Sequence, residues 1–135
     1  MAEVFVKPDK DFEAMIRVRM SAGDAHYAGE LVNGSKTVEY MGDVATNLCI
    51  MYAGNEGECK KYDEIRFTAP TYAGDFIEVV GRIIGVYKNK LKIQSRAFKI
   101  AENARIATQD SAVNVLEEPV MTLETFSIYE VPEGK

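Results

Sequence analysis

The sequence has little of the residues that build cross-linked or metal-stabilised proteins. It contains two cysteines, Cys49 and Cys59, and one histidine, His26, in 135 residues. Two cysteines cannot form the disulfide framework of a small secreted domain, and three scattered residues do not match the four closely spaced ligands of a structural zinc site. We therefore expect free thiols, a reducing cytoplasmic location and no bound metal ion.

Long hydrophobic runs and excess positive charge are also missing. No apolar stretch approaches the roughly 18 residues of a membrane helix, and the charged segment 1–10 does not resemble a signal peptide. Sixteen lysines and arginines against 21 acidic residues give a net charge of −5. Such a chain has no general attraction for nucleic acid or an anionic membrane, so we expect neither partner. An anionic ligand would need a local basic patch.

The composition that remains is that of an ordinary globular protein, with 47% hydrophobic and 27% charged residues. The length predicts one domain over 1–135, with 1–12 as a lead-in segment. Residues 15–20 alternate in polarity, which predicts a half-buried strand. The Gly-rich segment 21–33 is aperiodic and predicts a shaped loop.

One helix is predicted from Gly34 to about Tyr52, with Asn33 or Ser35 as its cap. Its apolar residues recur at steps of three and four: Val38, Met41, Ala45, Leu48, Cys49 and Tyr52. The second half is apolar on nearly all sides, which predicts burial on most sides.

Period-two patterns after residue 54 predict an antiparallel sheet. Strands are expected to end at Phe67 and to span 76–86, 91–100, 112–116 and 122–131, with a loop or strand crossing over 102–111. The connection over 87–90 is too short for a parallel crossover. The fold class is therefore α+β, with the sheet wrapped around one long central helix.

Two sequence stretches resemble a known enzyme family. The segment from Phe67 to Gly81, which contains Thr-Tyr-Ala-Gly-Asp, is similar to the strand–turn–strand of hotdog-fold acyl-CoA enzymes. Asp24-Ala-His-Tyr27 together with Gly42-Asp-Val-Ala-Thr46 resembles the β-aminoacyl-CoA ammonia lyases of amino-acid-fermenting bacteria, which act on 3-aminobutyryl-CoA or β-alanyl-CoA.

The resemblance implies a cofactor-free lyase that reversibly eliminates ammonia from a β-aminoacyl-CoA and gives the 2-enoyl-CoA. We favour 3-aminobutyryl-CoA and a role in lysine fermentation. It also implies a homo-oligomer built from dimers, with active sites between subunits. The alternatives are a hotdog acyl-CoA thioesterase, an enoyl-CoA hydratase and a non-catalytic acyl-CoA-binding module.

Elimination needs a base for the α-proton and donors for the enolate oxygen, and the helix offers candidates for both. Asp43 is the first candidate base, because an aspartate flanked by apolar residues in a helix is costly to bury unpaired. Glu39 lies one turn earlier and can share its face. The alternative for both is a solvent-facing carboxylate. Asn33 and Gly34 at the helix start are proposed to offer backbone N–H groups to the thioester oxygen.

The loop before the helix holds further candidates. Asp24 is a second possible base, and His26 could transfer a proton near neutral pH. Tyr27 could pack against the acyl or pantetheine group, although His26 and Tyr27 could also be purely structural. Two basic sets could hold the phosphates of CoA: Lys88, Lys90, Lys92 and Arg96 around the 87–90 hairpin, or Arg17 and Arg19 on one strand face. The alternative for each residue is an ordinary exposed charge on a strand.

Overall fold

The computed structural model describes residues 2–133 and consists of one long helix against an antiparallel sheet. The elements are β1 (Glu13–Arg19), α1 (Gly34–Ala53), β2 (Glu58–Phe67), β3 (Phe76–Tyr87), β4 (Lys90–Asn103) and β5 (Val113–Glu130). In space the strands follow the order β1-β3-β4-β5-β2, and every neighbouring pair is antiparallel. The predicted α+β architecture is confirmed. The predicted domain range 1–135 also includes residues 1, 134 and 135, which lie outside the described residues.

The helix α1 begins and ends with residues suited to those positions. The Asn33 side chain caps it, with its Oδ1 accepting a hydrogen bond from the Ser35 N–H at 3.1 Å. Gly54 ends it in the left-handed region, at φ 67°, and its N–H donates to the Ile50 carbonyl at 2.8 Å. These two residues explain why the helix bounds agree closely with the sequence prediction.

One side of α1 packs on the sheet, most extensively on β3, and forms the core. Its buried residues are Thr37, Met41, Val44, Ala45, Leu48 and Cys49. The helix comes close to the sheet at Gly81 of β3. A Cβ atom added to Gly81 would lie 2.7 Å from Val44 Cγ1 on the helix and 2.9 Å from Ser95 Oγ. Glycine is therefore needed at position 81 for the helix to reach the sheet.

The other side of α1 is exposed in the chain. Asp43, Ile50 and Met51 all lie on this outward side. The prediction that the helix is buried on most sides is wrong for the single chain. A lone helix on a sheet has one covered side, and apolar composition alone does not supply a second layer.

The strand β5 is one element of 18 residues, not the two separate strands predicted around 117–119. Its pairing with β4 is irregular between Lys99 and Ala101, which pair with Val120 and Val115. Pro119 falls in this irregular stretch, where its missing N–H breaks no ladder hydrogen bond. The region predicted as a loop or crossing is a loop that follows Asn103, where β4 ends.

Within residues 2–133, the strand β2 forms an edge of the sheet and pairs with β5 alone. Ile65 and Phe67 pair with Thr125 and Leu123, so all four side chains point to the side on which α1 lies. The helix lies mainly over the other strands, and Ile65 and Phe67 remain 40% and 61% exposed. The apolar sheet edge at Ile65 and Phe67 is therefore uncovered in the single chain.

Among residues 2–133, no helix combines the length and the apolar character needed to cross a membrane.

Candidate active site

A cavity of about 430 Å³ opens at the N-terminal end of α1. Its walls come from the loop before the helix, the first turn of the helix, the segment after β2 and the middle of β5. The lining residues are Tyr27, Leu31, Val32, Gly34, Thr37, Phe67, Thr68, Ala69, Pro70, Thr71, Thr122 and Leu123. Four stretches that are distant in sequence therefore meet at this cavity.

The loop before the helix is held in shape by its own backbone. Ala25 and Val32 pair as an isolated bridge, and the N–H groups of His26 and Tyr27 both donate to the Leu31 carbonyl, at 3.0 and 3.1 Å. The chain reverses between them through Gly29 and Glu30, with φ of 72° and 65°. A left-handed glutamate is strained, and such residues often occur at functional sites.

A buried ion pair anchors the turn that supports this loop. Lys99 Nζ lies 3.0 Å from Asp75 Oδ2, and both residues are buried. The same carboxylate oxygen accepts a hydrogen bond from the Tyr72 N–H at 2.8 Å, which holds the turn over residues 72–75. Backbone hydrogen bonds then join this turn to the loop, from Ala73 N–H to the Glu30 carbonyl at 3.0 Å.

The helix start and the end of β2 meet at Gly34 and Phe67. A Cβ atom at position 34 would overlap the Phe67 ring, so the aromatic ring can lie against the backbone only because residue 34 is glycine. Gly34 also lines the cavity. The partial positive charge of the helix N-terminus is therefore close to any carbonyl oxygen bound there.

The described wall of the cavity contains no Asp, Glu, Lys, Arg or His side chain. Its polar groups are the Tyr27 phenol and the hydroxyls of four threonines. Two hydroxyls are engaged: Thr68 Oγ1 donates to the Met121 carbonyl at 2.6 Å and Thr122 Oγ1 to the Ala97 carbonyl at 3.4 Å. This lining can hold an acyl chain and orient a carbonyl, but it supplies no strong base.

Comparison with known proteins identifies the family. The chain is 42% identical to a 3-aminobutyryl-CoA ammonia lyase from Acetoanaerobium sticklandii, over 91% of this chain and 97% of that enzyme. The chain belongs to the β-aminoacyl-CoA ammonia lyase family. No protein-family model matches it.

Solved structures agree with this family and with the fold. The β-alanyl-CoA:ammonia lyase from Clostridium propionicum superposes with a TM-score of 0.84 at 34% identity, covering 93% of this chain and 86% of that one. A hexameric thioesterase from Yersinia pestis superposes at 0.69 with 14% identity, covering 87% and 85%. The predicted ammonia-lyase family and hotdog fold are both confirmed.

Within this ammonia-lyase fold, the loop candidates have different surroundings. Tyr27 lines the cavity, whereas His26 is exposed and packs edge-to-face on Tyr27, with ring centroids 4.8 Å apart. Asp24 Oδ2 accepts a hydrogen bond from the Ser21 N–H at 2.8 Å, and its Oδ1 lies 3.7 Å from Lys36 Nζ. The Ser21 backbone hydrogen bond, with help from Lys36, lowers the pKa of Asp24. The Asp24 carboxylate therefore already interacts with Ser21 and Lys36.

The two helix carboxylates lie outside the cavity wall. Glu39 is exposed and pairs with Lys36 at 3.7 Å. Asp43 is exposed on the outward side of α1. Glu39 and Asp43 are therefore on the side facing away from the sheet. Neither reaches the cavity of its own chain.

The predicted phosphate-binding residues do not line the cavity of their own chain. Lys88 lines a groove with Tyr52 and Ala53 at the C-terminal end of α1. Lys90 pairs with Glu3 at 2.6 Å, and Arg96 pairs with Glu124 at 2.7 Å on the opposite face of the sheet. The sequence groups these residues by their proximity in the chain, whereas in the structure Lys88 lies at the end of α1 opposite the cavity and Arg96 lies on the other face of the sheet.

Several residues of the site were missed by sequence reasoning. Phe67, Thr71 and Leu31 line the cavity, and the Asp75–Lys99 pair supports it. The signal for Asp75 is the Gly-Asp turn, which is typical of the fold and does not by itself indicate a role in supporting the site. Lys99 had a signal of its own, because it occupies an inward position in the alternation of β4, between Ala97 and Ala101. A lysine there requires a buried partner.

Within residues 2–133, no group of three or more His, Cys, Asp and Glu side chains is placed to hold a metal ion.

Proposed function

We propose that this chain catalyses the reversible removal of ammonia from 3-aminobutyryl-CoA, without a cofactor. The 42% identity to the 3-aminobutyryl-CoA ammonia lyase of Acetoanaerobium sticklandii carries this proposal. The cavity is consistent with it, because its lining suits a short acyl chain and its rim contains the start of a helix.

In the proposed reaction the thioester carbonyl points toward Gly34 at the start of α1. A carboxylate removes the proton from Cα, and the electron pair forms the Cα=Cβ double bond. The Cβ–N bond breaks, and its electron pair leaves with nitrogen. A proton donor at nitrogen is not needed when the amine has entered as ammonium. Backbone dipoles at the helix start stabilise the negative charge on the thioester oxygen.

We propose that the carboxylate comes from a second copy of the chain, in a homo-oligomer built from dimers. The described cavity wall holds no carboxylate, and Asp43 lies outward on α1. The uncovered edge at Ile65 and Phe67 adjoins the cavity, since Phe67 lines it. A partner packed on that edge would bring its own side chains to the cavity mouth.

The first experiment measures the enoyl absorbance of crotonyl-CoA incubated with the purified protein, with and without ammonium. We expect the absorbance to fall only with ammonium. Loss without ammonium would indicate a hydratase, and release of free CoA thiol would indicate a thioesterase. Tight binding of CoA esters with no turnover would indicate a binding module.

The second experiment tests the shared site. Asp43→Asn is expected to slow turnover by about 100-fold with the fold intact, which is the scale of general acid–base catalysis. Oligomers assembled from Asp43→Asn chains and Gly34→Ala chains should recover part of the activity that each variant lacks alone. No recovery would mean that the cavity and its base belong to the same chain. Near-normal activity of Asp43→Asn would remove this residue from the mechanism.

We also propose a cytoplasmic enzyme of lysine fermentation, because 3-aminobutyryl-CoA is the favoured substrate. Cell fractionation and growth on lysine of a strain lacking the gene would test this.

A further inference from the structure

Four threonines line the cavity, and they differ in what their hydroxyl groups bind. Within residues 2–133, the threonine hydroxyl groups that form hydrogen bonds are those of Thr68, Thr122 and Thr125. The other two threonines of the cavity, Thr37 and Thr71, have no such partner although they are only 3% and 7% exposed. Buried hydroxyl groups normally have a hydrogen-bond partner, so the state of these two needs an explanation.

The unpaired oxygens of Thr37 and Thr71 open into the cavity. Within residues 2–133, every side-chain nitrogen or oxygen that is sealed from water has a hydrogen-bond partner. An oxygen without a partner therefore keeps access to solvent, and the space beside these two threonines is the cavity that both line. Valine has nearly the same shape as threonine and would suit a purely apolar wall better. The two hydroxyl groups are thus available to a ligand that occupies the cavity.

Both threonines lie beside the start of α1. Thr37 follows Gly34 by about one turn on the same side of the helix, which places it about 4.5 Å further along the helix axis. Thr71 is joined to the residue that precedes the helix cap, because its carbonyl accepts a hydrogen bond from the Val32 N–H at 2.9 Å. Both hydroxyl groups are therefore close to an acyl group whose carbonyl oxygen faces Gly34.

We infer that Thr37 and Thr71 are specificity-determining residues, whose hydroxyl oxygens accept hydrogen bonds from the β-ammonium group of the substrate. In the acyl chain this nitrogen is separated from the carbonyl carbon by three bonds, which suits an offset of one helical turn. A threonine oxygen can accept two hydrogen bonds. The described wall contains no Asp or Glu, so its side-chain acceptors are hydroxyl groups, of which these two are unpaired. This inference rests on the proposed function and assigns its selectivity for an amino ester to named residues.

The test compares two esters that differ only in the amino group. Butyryl-CoA has the acyl length of 3-aminobutyryl-CoA but no amine to eliminate. For Thr37→Val and Thr71→Val, we expect KM for 3-aminobutyryl-CoA, measured from the rise in enoyl absorbance, to increase roughly 10-fold each, because a hydrogen bond to a charged group contributes about that factor. The inhibition constant of butyryl-CoA should not change. Thr37→Ser and Thr71→Ser retain the hydroxyl group and should keep most of the affinity for the amino ester.

The matched control is Thr125→Val, which removes a buried hydroxyl group that bonds to Met41 Sδ and is not among the described residues of the cavity wall. It should leave both constants unchanged. The inference is overturned if the Thr37 and Thr71 valine variants retain KM, if they weaken butyryl-CoA equally, or if the serine variants lose as much affinity as the valine variants.

If the unmodified protein releases no ammonia, titration calorimetry gives the affinities of both esters. A preference for the amino ester that depends on the two hydroxyl groups would then contradict the proposed function alone. Equal affinities for the two esters would overturn this inference as well.

Discussion

Several single residues around the candidate active site have a restricted backbone conformation or a close backbone contact. Gly34 allows the Phe67 ring to lie against the helix start, and Glu30 adopts a conformation that glycine would adopt without strain. Tyr27 and Gly34 could be found from the sequence, since they sit in a recognisable motif and at a helix start. Thr71 and Phe67 could not, because tertiary contacts bring them to the cavity and no local pattern marks them.

Glu30→Gly is expected to stabilise the fold by up to about 1 kcal/mol, because glycine relieves the cost of a left-handed backbone, although it gains unfolded-state entropy. Thermal unfolding of both proteins measures the difference. Glu39→Gly is the matched control: the same substitution inside α1 should destabilise by about 1 kcal/mol. A lower melting temperature for Glu30→Gly would contradict the assignment of strain.

Gly34→Ala is expected to displace the Phe67 ring and to abolish most of the activity, since the added Cβ overlaps that ring. The change should be seen in steady-state turnover, with circular dichroism confirming a folded chain. Gly42→Ala is the control within the same helix, because its Cβ would meet no atom within 4 Å. It should raise stability by up to about 1 kcal/mol. Normal turnover by Gly34→Ala would exclude a functional role for the contact.

The secondary-structure elements that were predicted best are those whose ends are marked by nearby residues, such as a capping residue or a short connection. The bounds of α1 follow from Asn33 and Gly54, and the β3–β4 hairpin follows from its short connection. The continuity of β5 could not be predicted, because Pro119 normally interrupts a strand and is tolerated here only where the pairing is irregular. The exposure of the outward side of α1 could not be predicted either, because the helix sequence does not show whether a second layer of structure packs on that side.

Three strands are joined on the outer sheet face by side chains around Glu124. This carboxylate is nearly buried and lies 2.7 Å from Arg96 on β4, 3.1 Å from Gln94 on β4 and 3.7 Å from Arg66 on β2. The hydrogen bond from Arg96, aided by Gln94 and Arg66, lowers the pKa of Glu124 below its ordinary value of 4.5. The network therefore ties β5 to both of its neighbours while Glu124 is ionised.

Glu124→Gln is expected to reduce stability at neutral pH and to make stability less sensitive to acid. A carboxylate whose pKa is lowered by folding stabilises the fold above the unfolded pKa, and this contribution is lost as pH falls through the lower folded value. Urea unfolding at pH values from about 7 to about 3 measures the effect. Glu56→Gln, on an exposed loop, is the control. A difference from the unmodified protein that stays constant with pH would contradict the prediction.

As a whole, the chain exposes an apolar edge next to its candidate active site. Ile65 and Phe67 on β2 are both at least 40% exposed. The sequence indicated oligomerisation through the family resemblance. It could not indicate which edge is uncovered, because that depends on the strand order.

Ile65→Lys is expected to weaken self-association and lower activity together, because a lysine at this position would be buried against a second copy. Sedimentation velocity and turnover should be measured on the same samples across a concentration series. Val4→Lys, a comparable exposed position in the N-terminal segment, is the control and should leave assembly intact. An unchanged oligomeric state for Ile65→Lys would place the interface elsewhere.

The Asp75–Lys99 pair constrains how this sequence can diverge. Both side chains are withdrawn from water, so replacing either one alone leaves its counterpart as an uncompensated buried charge, at a cost of roughly 3–5 kcal/mol. Replacing both by apolar residues of similar volume carries no such penalty. In related sequences the two positions should therefore change together: either both charges are kept, or both are lost in the same lineage.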